Sequence, residues 1–70
     1  MSLVTKSQIA NYLKISVRTL RRKLLPHIHE FPLDFNTKKI LDLSEATKIF
    51  VIYGYSEDDA KDMVHRAAKS

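Results

Sequence analysis

VTKSQIANYLKISVRTLRRKLL, residues 4–25, decides how this chain is read. Apolar residues return at helical spacing twice within it, with a break at residues 14–16. Thr5 with Gln8 three residues on has the capping-box pattern, and Val4 with Ile9 has the spacing of a hydrophobic staple. Together they predict a first helix over about 6–13. Ile9, Tyr12 and Leu13 give it one apolar stripe, with Ala10 small enough for close helix contact. Lys14, Ile15 and Ser16 form the bend. Ser16 is placed to cap a second helix, and Ile15 with Leu20 repeats the staple spacing. Val17, Leu20 and Leu24 face inward at i, i+3 and i+7, which leaves Arg18, Arg21 and Arg22 on the opposite face, flanked by Thr19 and Lys23. Pro26 is expected to end this helix, because the residue before a proline is disfavoured in the α region.

The same stretch carries six basic residues and no acid; the first acid in the chain is Glu30. Residues 30–70 hold six basic and eight acidic residues, so the net charge of +4 comes from the first part of the chain. Basic charge gathered this way predicts a surface that meets a polyanion.

Seventy residues make one domain with a modest core, too small for a substrate pocket plus its scaffold. No enzyme activity is expected. There is no cysteine, hence no disulfide framework and no cysteine-ligated zinc. The longest uninterrupted apolar run, residues 49–53, is five residues long and far short of a membrane span, and no signal-peptide pattern is present. A soluble cytoplasmic protein is expected.

Downstream, Asn36-Thr37-Lys38 reads as a turn between strands near 33–35 and 39–41, a small β-hairpin. Ser44 or Asp42 caps a third helix over about 44–53, with Ala46, Ile49, Phe50 and Tyr53 inward. Gly54, the single glycine, stands at its C-terminal end. Ser56 opens a fourth helix over about 57–68, striped by Ala60, Met63, Val64 and Ala67. The fold class is therefore mainly α, in the order α-α-β-hairpin-α-α.

Ala10 four residues before a bend, with Ile9, Leu13, Ile15 and Leu20 holding two short helices together, has the spacing of a helix-turn-helix, with the motif at 5–25. The bend position is often glycine; Lys14 there costs about 1 kcal/mol if it takes the left-handed conformation. SVRTLR at 16–21 resembles the start of the recognition helix in MerR-type winged helix-turn-helix proteins. ILDLSE at 40–45, then Ile49-Phe50 and Gly54-Tyr55-Ser56, resemble that family's path from wing through third helix to fourth. The resemblance covers nearly the whole chain and extends to excisionases of phages and transposons and to the DNA-binding part of phage terminase small subunits. It implies a recognition helix at 16–25, a wing at about 31–41 and two supporting helices. Two departures stand out. The usual arginine and glycine of the wing are missing, and the chain stops where a MerR regulator would begin its long dimerisation helix. No small-molecule effector is expected.

On this reading the partner is double-stranded DNA. Arg18, Thr19 and Arg22 would read base edges, as an arginine can by pairing bidentately with guanine. Lys14, Arg21 and Lys23 would clamp phosphates, Lys6 and Ser7 would hold one at the head of the first helix, and Lys38 and Lys39 would touch the backbone from the wing. Phe31 and Phe35, near the wing, are candidates for base stacking. A domain this small binds weakly alone, so a homodimer or tandem assembly on DNA is expected. His27, His29 and His65 lack the partners of a metal site, and no metal or cofactor is expected. The alternative is a protein–protein interaction module, such as a phage assembly adaptor, docking through the same basic face.

Overall fold

Thr5 and Gln8 form the capping box that begins the first helix. Thr5 Oγ1 accepts from the Gln8 N–H at 3.1 Å, and Gln8 Oε1 accepts from the Thr5 N–H at 2.9 Å. The computed structural model describes residues 4–69. The order is β1 (Val4–Thr5), α1 (Lys6–Leu13), α2 (Val17–Leu24), a 3-10 helix (Leu25–Glu30), β2 (Ile40–Leu41), α3 (Leu43–Ile52) and α4 (Glu57–Ala68). The domain is thus mainly helical with a two-stranded antiparallel sheet. None of its helices among the described residues is long and apolar enough to cross a membrane.

The bend between α1 and α2 is tight because Lys14 is left-handed, at φ 60 and ψ 41. That lets the Ile15 N–H reach the Ala10 carbonyl at 2.9 Å. Only a side chain without Cβ adopts this conformation freely, and Lys14 is exposed. Lys14→Gly is therefore expected to raise stability by about 1 kcal/mol in urea titration. A lower midpoint would show that the lysine side chain makes a compensating contact.

Ser16 caps α2, its Oγ accepting from the Thr19 N–H at 3.1 Å. Pro26 does not stop the chain from turning. The α-helix ends at Leu24, but Leu25 stays right-handed and the path continues as the 3-10 helix with the proline in its first turn. Proline is tolerated there because the first N–H groups of a helix have no partner inside it.

The expected hairpin is not formed. Residues 32–38 instead close on themselves: the Phe35 N–H donates to the Pro32 carbonyl, and the Thr37 and Lys38 N–H groups donate to the Asp34 carbonyl. Phe31 and Phe35 explain why. They lie four residues apart, both are buried, and their rings stack at 4.2 Å between centroids. On a strand, Leu33 would share their face, but it is fully exposed. Spacing by four is the signature of a turn of helix, and apolar burial sets it here. β2 pairs with β1 instead, in the register Val4 with Leu41 and Thr5 with Ile40.

Of the two residues expected to cap α3, Asp42 does so. Its Oδ1 accepts from the Glu45 N–H at 2.8 Å, and Glu45 Oε1 accepts from the Asp42 N–H at 3.1 Å. Gly54, at φ 104, closes α3. Its N–H donates to the Val51 carbonyl and the Tyr55 N–H to the Phe50 carbonyl, the paired bonds of a Schellman end. Ser56 then caps α4. The buried residues form one cluster in which Ile9, Leu20, Leu24, Leu41, Ile49, Phe50 and Val64 are central.

Candidate functional site

α2 presents its two sides very differently. Leu20 and Leu24 are buried, while Arg18, Thr19, Arg21, Arg22 and Lys23 are exposed. The ion pairs among the described residues join His27 to Glu30, Lys38 to Glu45 and Arg66 to Asp62, so none involves a cation of α2. No acid lies within α2 to neutralise the face. Thr19 Oγ1 accepts from Ser16 Oγ at 2.9 Å, which leaves the threonine's own O–H proton to give.

The expected residues separate onto two flanks of this helix. On one, Thr19, Arg22 and Lys23 border a shallow groove with Pro26 and His27. The ammonium of Lys23 also stands 5.6 Å over the ring of Tyr53, a cation–π contact. On the other, Val17 and Arg21 border a groove of about 540 Å³ whose far wall is Thr5, Lys6, Ser7 and residues 36–39. Ser7 and Lys39 are exposed there. Arg18 lines neither groove and stands exposed on α2, while Lys14 is exposed at the bend.

Two lysines expected at phosphates have other partners. Lys6 is 6% exposed, and its ammonium donates to the Phe35 carbonyl and lies 4.4 Å from the centre of the Phe35 ring. It fastens the 32–38 loop onto α1 while still bordering the groove beside Arg21. Lys38 donates to Glu45 Oε1 at 2.8 Å, the same oxygen that completes the α3 capping box. That bond raises the Lys38 ammonium above its ordinary value. Sequence pattern had no local sign of either contact, since 29 residues separate Lys6 from Phe35 and seven separate Lys38 from Glu45. The base-stacking expectation for Phe31 and Phe35 is corrected: both are buried against each other and offer no open ring to a base.

Burial lowers the Lys6 ammonium from its ordinary 10.5; the nearby Arg21 adds to this and Glu45 opposes it. The folded chain therefore gives up this proton at lower pH than the unfolded chain does. The cost of keeping Lys6 charged applies in full below the lowered value and is relieved as pH rises toward 10.5. Stability from this group should therefore increase with pH in that window. The urea midpoint of the wild type is expected to climb relative to Lys6→Met as pH is raised from neutral through the window. A wild-type midpoint that stays level with, or falls relative to, that of Lys6→Met across the window would contradict the assignment.

Asn36 and Thr37, uncharged residues of the expected turn with no local pattern marking them as contacts, stand in the groove opposite Arg21. Their position there follows from the loop's attachment through Lys6 and Lys38, not from any pattern in residues 36–39. His27 is a second such residue. It borders the Arg22 flank and pairs with Glu30 through Nδ1 and Oε2 at 2.9 Å, a contact that holds the Glu30 carboxyl below the usual carboxylate range. Arrayed this way, the surface can offer guanidinium forks and a hydroxyl from one helix. Lys14 at the bend and Lys39 in the loop add exposed cations. No protein-family model matches the chain, and neither a curated protein nor a solved structure does.

Proposed function

We propose that this domain binds double-stranded DNA in a sequence-directed way, laying α2 in the major groove. Its role would be that of a small winged helix-turn-helix regulator or an excisionase-like accessory factor of a mobile element or phage. The observation that carries this reading is the outward face of α2, where four cations and Thr19 stand exposed without an acidic partner. A helix of about 12 Å diameter fits the major groove, and exposed arginines on it reach base edges. In this reading Arg18, Thr19 and Arg22 read bases. Lys14, Arg21, Lys23, Ser7 and Lys39 hold phosphates and set the register. The compact 36–39 loop borders the same groove as Arg21 and would add the Lys39 cation to that contact.

Fluorescence anisotropy of labelled duplexes over a range of salt tests this. Affinity is expected to fall steeply, with a log–log slope of about −0.9 for each phosphate neutralised. Selection of bound sequences from a random duplex pool would then supply the preferred site. If random duplex is not bound even at low salt, the DNA reading fails and an acidic protein partner for the same face becomes the better one.

A further inference from the structure

A third groove, of about 630 Å³, runs along the side of α3 and the first turns of α4 and shares no lining residue with the two basic grooves. Its wall from α3 exposes two apolar side chains, Leu43 at 40% and Val51 at 43%, with the buried Thr47 between them and Ser44 and Lys48 alongside. Leu43, Thr47 and Val51 are spaced by four, so they form one stripe. The wall from α4 is charged. Glu57 and Lys61 lie one helical turn apart and neither enters an ion pair among the described residues, although an i, i+4 glutamate–lysine pair is well placed to form one. The remaining lysine of the groove, Lys48, is already committed to the Glu30 carbonyl at 2.7 Å.

We propose that this groove is the contact surface for a second copy of the chain, related by a two-fold axis. A closed two-fold interface requires a patch complementary to itself. This one carries one unpaired charge of each sign beside an apolar stripe. An axis passing midway between Glu57 and Lys61 sets each against its opposite in the partner and brings the two Leu43–Val51 stripes together. A purely acidic or purely basic partner would satisfy only one of the two charges. Stable interfaces bury roughly 800 Å² per partner, about a sixth of this chain's 4740 Å² surface. A single groove of this size therefore makes a weak dimer, with dissociation on the order of tens to hundreds of micromolar. The pairing leaves the basic face of α2 uncovered, and it does not depend on the DNA reading.

Sedimentation equilibrium without DNA, from on the order of 10 µM to 1 mM, tests the proposal and fails or succeeds separately from the duplex assay. The wild type is expected to shift from monomer to dimer across this range. Val51→Glu should remain monomeric. Glu57→Lys alone and Lys61→Glu alone should each dimerise at least tenfold more weakly, whereas the double variant regains association. An equimolar mixture of the two single variants should form a heterodimer, because both contacts are then attractive. Circular dichroism melts verify folding; all three positions are on the surface, so folded variants are expected. A wild type that stays monomeric at the highest concentration overturns the proposal. So does dimerisation that is indifferent to Val51→Glu or to the charge reversals.

Discussion

Phe50→Ala is expected to leave the domain largely unfolded at room temperature. Phe50 is fully buried at the centre of the α3 face, with the ring of Tyr12 edge-on at 6.0 Å and that of Tyr55 at 6.4 Å. Truncating such a ring to alanine costs about 3–5 kcal/mol, from lost transfer energy and the cavity left behind. The net stability of a domain this small, with one core, rarely exceeds about 3–5 kcal/mol. The two magnitudes are equal, so no margin remains. The helical signal in far-ultraviolet circular dichroism should be mostly lost, and no cooperative urea transition should be seen. Phe50→Leu keeps an apolar filler and is expected to fold with a lower midpoint. A cooperative transition near the wild-type midpoint for Phe50→Ala would mean that the core tolerates a cavity at its centre, and would contradict its central role.

The second large effect concerns binding. Arg18→Ala and Arg22→Ala are each expected to weaken binding to the preferred duplex by about 1–3 kcal/mol, roughly 5- to 150-fold, while reducing discrimination at one base position. Both side chains are exposed, so folding should be unchanged. Lys14→Ala should behave differently. It is expected to weaken all sequences alike and to reduce the salt slope by about one. Competition titrations with preferred and scrambled duplexes separate the two outcomes. If Arg18→Ala lowers affinity equally for both, Arg18 acts on phosphate and base reading must be sought elsewhere on α2.

Some of this architecture is local, and what is local was legible. The capping residues Thr5, Ser16, Asp42 and Ser56 and the end signal Gly54 each act within a few residues of themselves, so helix positions followed from the chain alone. The strand expected near 33–35 does not form; the period of the sequence around it is ambiguous. Phe31, Leu33 and Phe35 fit a strand by alternation, and Phe31 and Phe35 fit a helical turn by spacing. The choice depends on which neighbours bury the two rings, and those neighbours, Lys6 on α1 and Lys48 on α3, are distant in sequence. Lys6 shows the same limit for the candidate site. A lysine at the head of a basic stretch reads as surface charge, and only the fold reveals a carbonyl waiting for it. The outward cations of α2 needed no such information, because helical geometry alone opposes them to Leu20 and Leu24.

The head of α1 has a consequence for how the chain comes to be folded. Val4 is paired with Leu41, Lys6 is bonded to the Phe35 carbonyl, and the Gln8 amide donates to the Ala68 carbonyl at 3.3 Å. Every one of these anchors is synthesised after the helix pair itself, the last of them 60 residues after Gln8. During translation the basic segment therefore emerges without the contacts that hold it, and its final geometry waits for α4 to leave the ribosome. The same dependence makes the segment inseparable: a peptide of residues 4–25 carries the charges of the surface but lacks the partners that orient them.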